Sequence, residues 1–171
     1  MEEKEVRLFG LENDSIVDGP GIRFAIFTQG CFHNCEGCHN PGSHDPMGGY
    51  IESCDKIIER IKKNPLLDGV TFSGGEPFLQ AKPLTYIAEE VKKAGLSTMA
   101  YTGFLFEDLL SGANEENGWN EFLNNLDLLV DGKFVITLKS IELNYKGSSN
   151  QRIIDVKKSL ESGSIVLSRY N

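Results

Sequence analysis

The chain has no run approaching the ~18 apolar residues of a membrane-spanning helix, and its opening "MEEKEVR" has none of the apolar segment of a secretory leader. These absences predict a cytoplasmic protein that does not engage a membrane. Positive charge is also scarce. Lys and Arg number 17 against 25 Asp and Glu, a net charge of −8, which argues against holding nucleic acid by neutralising its phosphates. Cysteine is scarcer still, at four. In a reducing compartment, clustered thiols are more often metal ligands than disulfides. At 171 residues the chain fits one domain, 1–171, with a proper core and no room for a second of similar size.

What is present is an alternation of strand and helix patterns. "VRLFG" (Val6 to Gly10) reads as a short leading strand, and "IRFAIFTQG" (Ile22 to Gly30) as a strand rich in aromatic and β-branched residues. "YIESCDKIIERIKK" predicts a helix with Ile51, Cys54, Ile57, Ile58 and Ile61 on one face, stopped by Asn64-Pro65. "DGVTFSGG" is an apolar strand ending in glycines. "KPLTYIAEEVKKAG" is a helix with Pro83 in its first turn and Leu84, Ile87, Ala88 and Val91 as its buried stripe. "LSTMAYTG" and "DLLVDGKF" read as strands, with "FLFEDLL" and "WNEFLNNL" as short helices between them. The tail, "QRIIDVKKSLESGSIVLS", reads either as two strands around Glu161 to Ser164 or as a strand and a helical turn. This order predicts an α/β protein with a parallel sheet. The C-terminal ends of its strands then share one rim, where chemistry collects in such folds.

Three of the four cysteines fall in "TQGCFHNCEGCHNPGS" (Thr28 to Ser43), spaced C-x3-C-x2-C. A zinc site would need a fourth ligand from His33, His39 or His44. An iron–sulfur cluster takes thiolates as its standard ligands, and Cys31, Cys35 and Cys38 on a four-iron cube would leave one iron open. Cys54 lies on an apolar helical stripe and reads as a small buried hydrophobe. Read without further context, "SGGEP" (Ser73 to Pro77) is a tight turn whose Glu76 favours a helix N-terminus. "DGPG" (Asp18 to Gly21) is a turn, "VDGKF" an exposed Asp-Gly turn with a solvated Lys133, and "KGSSNQR" a polar surface turn.

The cysteine spacing at the end of a first strand resembles the signature of the radical S-adenosylmethionine enzymes. "DGPGIRFAIFTQGCFHNCEGCHNP" (Asp18 to Pro41) resembles the opening of the glycyl-radical-enzyme activases among them. The resemblance implies an open, truncated parallel β/α barrel of partial TIM type, in keeping with a length well short of the ~250 residues of a full barrel. It implies an oxidoreductase with a [4Fe-4S] cluster on Cys31, Cys35 and Cys38 and S-adenosylmethionine on the fourth iron. One electron would cleave the sulfonium to methionine and a 5′-deoxyadenosyl radical equivalent. It implies further that the Gly74-Gly75 backbone and Glu76 approach the methionyl ammonium. The Gly37-Cys38-His39 backbone would pass the adenine, with Asn40 at its border, and Asp131 and Lys133 would lie near the carboxylate. Many relatives carry an acidic residue where this chain has none between Leu96 and Phe106, leaving Thr102 as a hydrogen-bonding substitute.

"YKGSSNQRIIDVKKSL" (Tyr145 to Leu160) is similar to the C-terminal segment of the activating proteins of anaerobic ribonucleoside-triphosphate reductase. That likeness implies the reductase large chain as partner, with a flavodoxin-type or other one-electron donor as a second. The alternatives are an activase of another glycyl radical enzyme such as pyruvate formate-lyase, a small radical enzyme acting on a pterin-derived nucleoside precursor, and a non-catalytic zinc or electron-transfer module with four protein ligands.

Overall fold

The computed structural model describes residues 4–171. Its strands are β1 (Glu5–Ser15), β2 (Arg23–Thr28), β3 (Tyr50–Ser53), β4 (Gly69–Gly74), β5 (Ser97–Tyr101), β6 (Leu128–Asp131) and β7 (Arg152–Asp155). They form one sheet in the order β3-β1-β2-β4-β5-β6-β7. β2, β4, β5 and β6 are mutually parallel. The pairs β1/β2, β1/β3 and β6/β7 are antiparallel. The predicted α/β class and open parallel sheet are thus present, with antiparallel strands added at both edges. The parallel strands need crossovers, and these are α1 (Cys54–Lys62), α2 (Ala81–Lys93), and the pair α3 (Phe106–Gly112) and α4 (Trp119–Asn124); α5 (Val156–Ser162) follows β7. Among the described residues no helix is long and apolar enough to cross a membrane.

Side chains alternate across a strand, and here the alternation separates two environments. Phe24, Ile26, Val70, Phe72, Ala100, Leu129 and Ile154 face the helices, where they meet Ile57, Ile61, Leu84, Ile87, Val91 and Phe122 in the main core. Met99, Val130 and Ile153 face the other way and pack with Tyr101, Leu128, Tyr145 and Tyr170. On this second face Arg23 is 2% exposed. Its guanidinium donates to Thr71 Oγ1, Ser97 Oγ and the carbonyls of Pro20 and Val70. Burial draws its pKa down against the pull of Asp127. Thr71 Oγ1 in turn donates to the Asp18 carbonyl. The "DGPG" turn is therefore pinned along the inner face of the sheet, between its base and the rim that carries the cysteine loop.

Two expectations are corrected, and the open reading of the tail is resolved in favour of its second alternative. The first helix begins at Cys54, four residues later than predicted, because Tyr50–Ser53 pairs with Glu5–Leu8 and the Ser53 hydroxyl caps the helix by accepting from the Lys56 amide. Ile51 therefore leaves the helical stripe and is 47% exposed, while Cys54, Ile57 and Ile61 are buried. The leading strand is longer than its apolar core, because the polar stretch to Ser15 is carried by pairing with β2 across two register shifts. The tail is a strand and a helix. Asp155 ends β7 and caps α5 by accepting from the Lys158 amide, and Leu167 returns only as an isolated bridge to Ile154.

These placements make opposite demands on two isoleucines. Replacing Ile57 with Ala is expected to cost about 2–5 kcal/mol of stability, and replacing exposed Ile51 with Ala no more than about 0.5 kcal/mol. Urea unfolding of both variants measures this, and equal losses would return Ile51 to the core.

Candidate active site

Beyond the C-terminal ends of β2, β4 and β5 lies a cavity of about 500 Å³, within the usual range for a small-molecule site. Cys31, Cys35 and Cys38 line it from the loop after β2, and Ser73, Gly74 and Gly75 from the end of β4. Tyr101, Thr102 and Gly103 line it from the end of β5; His39, Asn40, Lys146 and Gln151 complete its polar border. All three cysteines are free and half-buried. Burial pushes the Cys31 thiol up, and the His33 backbone N–H partly offsets it. Ligation of such a thiol must release its proton.

The fourth-ligand question turns on the three histidines. His33 pairs through Nε2 with Glu76 Oε1 at 2.6 Å. The His39 ring lies against Phe134, centroids 5.1 Å apart. His44 Nε2 stands 3.4 Å from Cys38 Sγ. Among the described residues no three His, Cys, Asp or Glu side chains converge as one metal ion requires. The thiols border a cavity instead of meeting at a point. That donor set fits a polynuclear group whose separate irons each take one thiolate.

The glycines of "SGGEP" have a reason that spacing did not reveal. Gly74 has φ +95°, and a Cβ there would sit 2.3 Å from the Thr28 amide nitrogen; at Gly75 it would sit 2.4 Å from the Gly30 carbonyl. The obstacle to a side chain is the protein's own backbone at the end of β2. Close approach lets Gly75 N donate to Thr28 O and Glu76 N to Gly30 O, which docks the cysteine loop's first residues on β4.

Several expected site residues lie off the cavity wall. Glu76 is 1% exposed, and its carboxylate is filled by protein donors: the amides of Phe78 and Gly103, the Thr102 hydroxyl and His33. It is a tie between loops, and Thr102, although on the lining, spends its hydroxyl on Glu76. Asp131 is buried and accepts from the Phe106 amide and from Arg152 Nε. Arg152 also pairs with Glu107 at 2.6 Å. Lys133 is exposed and points no atom onto the lining. Gly37 sits beneath Ile136, whose Cδ1 would be 2.5 Å from a Cβ at that position. The residues missed by sequence reasoning are Tyr101, Tyr145, Lys146 and Gln151. The last three belong to the "YKGSSNQR" stretch, a motif visible without a reason for it.

The comparisons with known proteins agree with this chemistry. The model of the 4Fe-4S single cluster domain matches residues 17–154. The anaerobic ribonucleoside-triphosphate reductase-activating protein of Salmonella typhi is 33% identical over 147 residues, covering 80% of this chain and 90% of that protein. Its counterpart in Escherichia coli K12 is 33% identical over 151 residues, with the same coverage. The pyruvate formate-lyase-activating enzyme of Clostridium pasteurianum is 38% identical over 97 residues, 54% of this chain, and the match spans only 41% of that longer enzyme. The chain belongs to the 4Fe-4S single cluster domain family and, within it, to the anaerobic ribonucleoside-triphosphate reductase-activating proteins.

The fourth cysteine supplies a control for the site. Burial pushes the Cys54 thiol up to about 12, so at pH 8 it stays protonated and inert. Iodoacetamide is expected to modify Cys31, Cys35 and Cys38 of the cluster-free protein and to spare Cys54, as read by peptide mass mapping. Modification of Cys54 at a comparable rate would contradict its placement in the core.

Proposed function

We propose that the chain is the oxidoreductase that installs the glycyl radical on anaerobic ribonucleoside-triphosphate reductase. Its cofactors are a [4Fe-4S] cluster and S-adenosylmethionine. One observation carries the reading: three free thiols from a single loop meet the Gly74-Gly75 turn at one cavity. In support, the chain aligns over 90% of the length of the Salmonella typhi activating protein.

Cys31, Cys35 and Cys38 hold the cluster, which when bound supplies the electron that splits the sulfonium C–S bond of S-adenosylmethionine. The chain's own task is to bind, orient and shield. At the β4 turn the amides of Gly75 and Glu76 are spent on Thr28 and Gly30, so the turn offers a ligand carbonyl oxygen, the partner a methionyl ammonium needs. His39 and Asn40 also border the cavity. Phe27, Phe134 and Leu143 give the cavity apolar walls, which offer water no hydrogen-bonding side chain beside a reactive radical. Val17, also on the lining, is 74% exposed, so the cavity is open to solvent. A substrate glycine within another protein requires such an opening, which a closed barrel would deny. No side chain serves as acid, base or nucleophile, and a flavodoxin-type or other one-electron donor supplies the reducing equivalent.

The higher identity to the Clostridium pasteurianum enzyme over a shorter span favours a second reading, activation of pyruvate formate-lyase. Anaerobic incubation of the reduced protein and S-adenosylmethionine with each candidate partner separates the two by electron paramagnetic resonance. A glycyl radical doublet is expected on the reductase; a doublet on pyruvate formate-lyase alone would select the second reading. Replacing Cys35 with Ala is expected to leave a folded protein that forms no doublet and releases no 5′-deoxyadenosine. Radical formation by that variant would contradict the ligand assignment.

A further inference from the structure

The cavity carries one Lys or Arg among its lining residues, and it is Lys146. Its ammonium donates to the Gln151 carbonyl and to Asn171 Oδ1, both at 3.3 Å. None of the ion pairs among the described residues engages it. An ammonium has three N–H donors, so at least one donor and the whole positive charge remain unmatched. The carboxylate on the lining, Asp18, is bound to the Ser15 hydroxyl.

The surrounding segment is built to hold this side chain in place. Gln151 Oε1 accepts from the amides of Gly147 and Ser148, and its Nε2 donates to the Gly132 carbonyl. Ser148 Oγ accepts from the Val135 amide, and Asn150 Nδ2 donates to the Lys133 carbonyl. The polar side chains at 148, 150 and 151 thus clamp the chain that follows β6. The preceding residue, Tyr145, has φ +63°, a region that a bulky side chain disfavours. Among the described residues only one other non-glycine residue has positive φ, Asn34, which lies in the cysteine loop. Strained backbone held by its surroundings is concentrated at functional sites; here Tyr145 lines the cavity, and Asn34 lies in the loop whose three cysteines line it.

We infer that Lys146 pairs with the carboxylate of the methionyl end of S-adenosylmethionine; this rests on the function proposed above. That ligand carries one negative group beside a positive ammonium and a positive sulfonium. An uncompensated cation at 146 attracts the first and repels the other two. It therefore fixes the direction in which the ligand lies, with the carboxylate toward the "KGSSNQR" segment.

The test measures equilibrium binding to the cluster-loaded protein under anaerobic conditions, with S-adenosylmethionine and its decarboxylated analogue as probes. The proteins are the wild type, Lys146→Gln, Lys146→Arg and Lys133→Gln, matched in iron content and circular dichroism. Loss of a charge-assisted hydrogen bond is expected to weaken S-adenosylmethionine binding about ten- to a hundredfold in Lys146→Gln. Binding of the analogue should change little in that variant, Lys146→Arg should retain most of the affinity, and Lys133→Gln should match the wild type. Equal weakening of both probes, no weakening of either, or reproduction of the effect by Lys133→Gln would overturn the inference. A wild type that binds neither probe would overturn the functional reading itself.

Discussion

The buried contact between His33 and Glu76 is the tie on which the site depends. A loop that must present three thiols to one cavity has little conformation of its own, since it is glycine-containing, polar and without a regular element between Thr28 and Pro41. His33 sits between the first two cysteines and is tethered at 2.6 Å to a carboxylate that no solvent reaches. Glu76 closes the circuit to β5 through Thr102 and Gly103. The ring of His33 is held in turn by Phe104, at 4.7 Å between centroids. A carboxylate is tolerable in such a place only when its lone pairs are filled, and here every donor comes from a segment of the rim. The charge thus fastens the cysteine loop to the ends of two parallel strands.

A second buried carboxylate does similar work on the other side. Asp131 ends β6, receives Arg152 from β7 and the first amide of α3, and so joins the antiparallel edge strand to the parallel sheet. Just before β7 the chain runs along the cavity, and Gln151 and Asn150 fasten it to residues 132 and 133. The two acidic residues most readily assigned to a cofactor thus have their carboxylates engaged by protein donors. The cation left over, Lys146, is the group with charge to spare.

How much of this was legible follows from the range of the forces involved. The stripes of α1 and α2 and the apolar cores of β2, β4, β5 and β6 are local patterns, and they stand where periodicity puts them. Ile51 misled because it continues the spacing of Cys54 and Ile57, and only pairing with β1, more than forty residues away in sequence, draws it out. Ser53 was a capping signal three residues into the supposed helix. The cysteine spacing announced its own chemistry because thiolates are scarce and specific. The protein partners of Glu76 and Asp131 were not legible, because a carboxylate does not declare which donors will reach it; those donors include Thr102 and Arg152, 26 and 21 residues on. At Gly74 and Gly75 the structure adds a demand that spacing did not reveal, the close backbone at the end of β2.

The central claim is that three thiolates leave one iron for the amino-acid end of a sulfonium ligand. Electron–nuclear double resonance on the reduced, cluster-loaded protein tests it directly, with S-adenosylmethionine labelled at the methionyl amino nitrogen with nitrogen-15 and at the carboxylate with oxygen-17. The account predicts hyperfine coupling from both labels. Silent labels, together with a nitrogen coupling from a histidine such as His44, which stands 3.4 Å from Cys38 Sγ, would mean a fourth protein ligand and would contradict it.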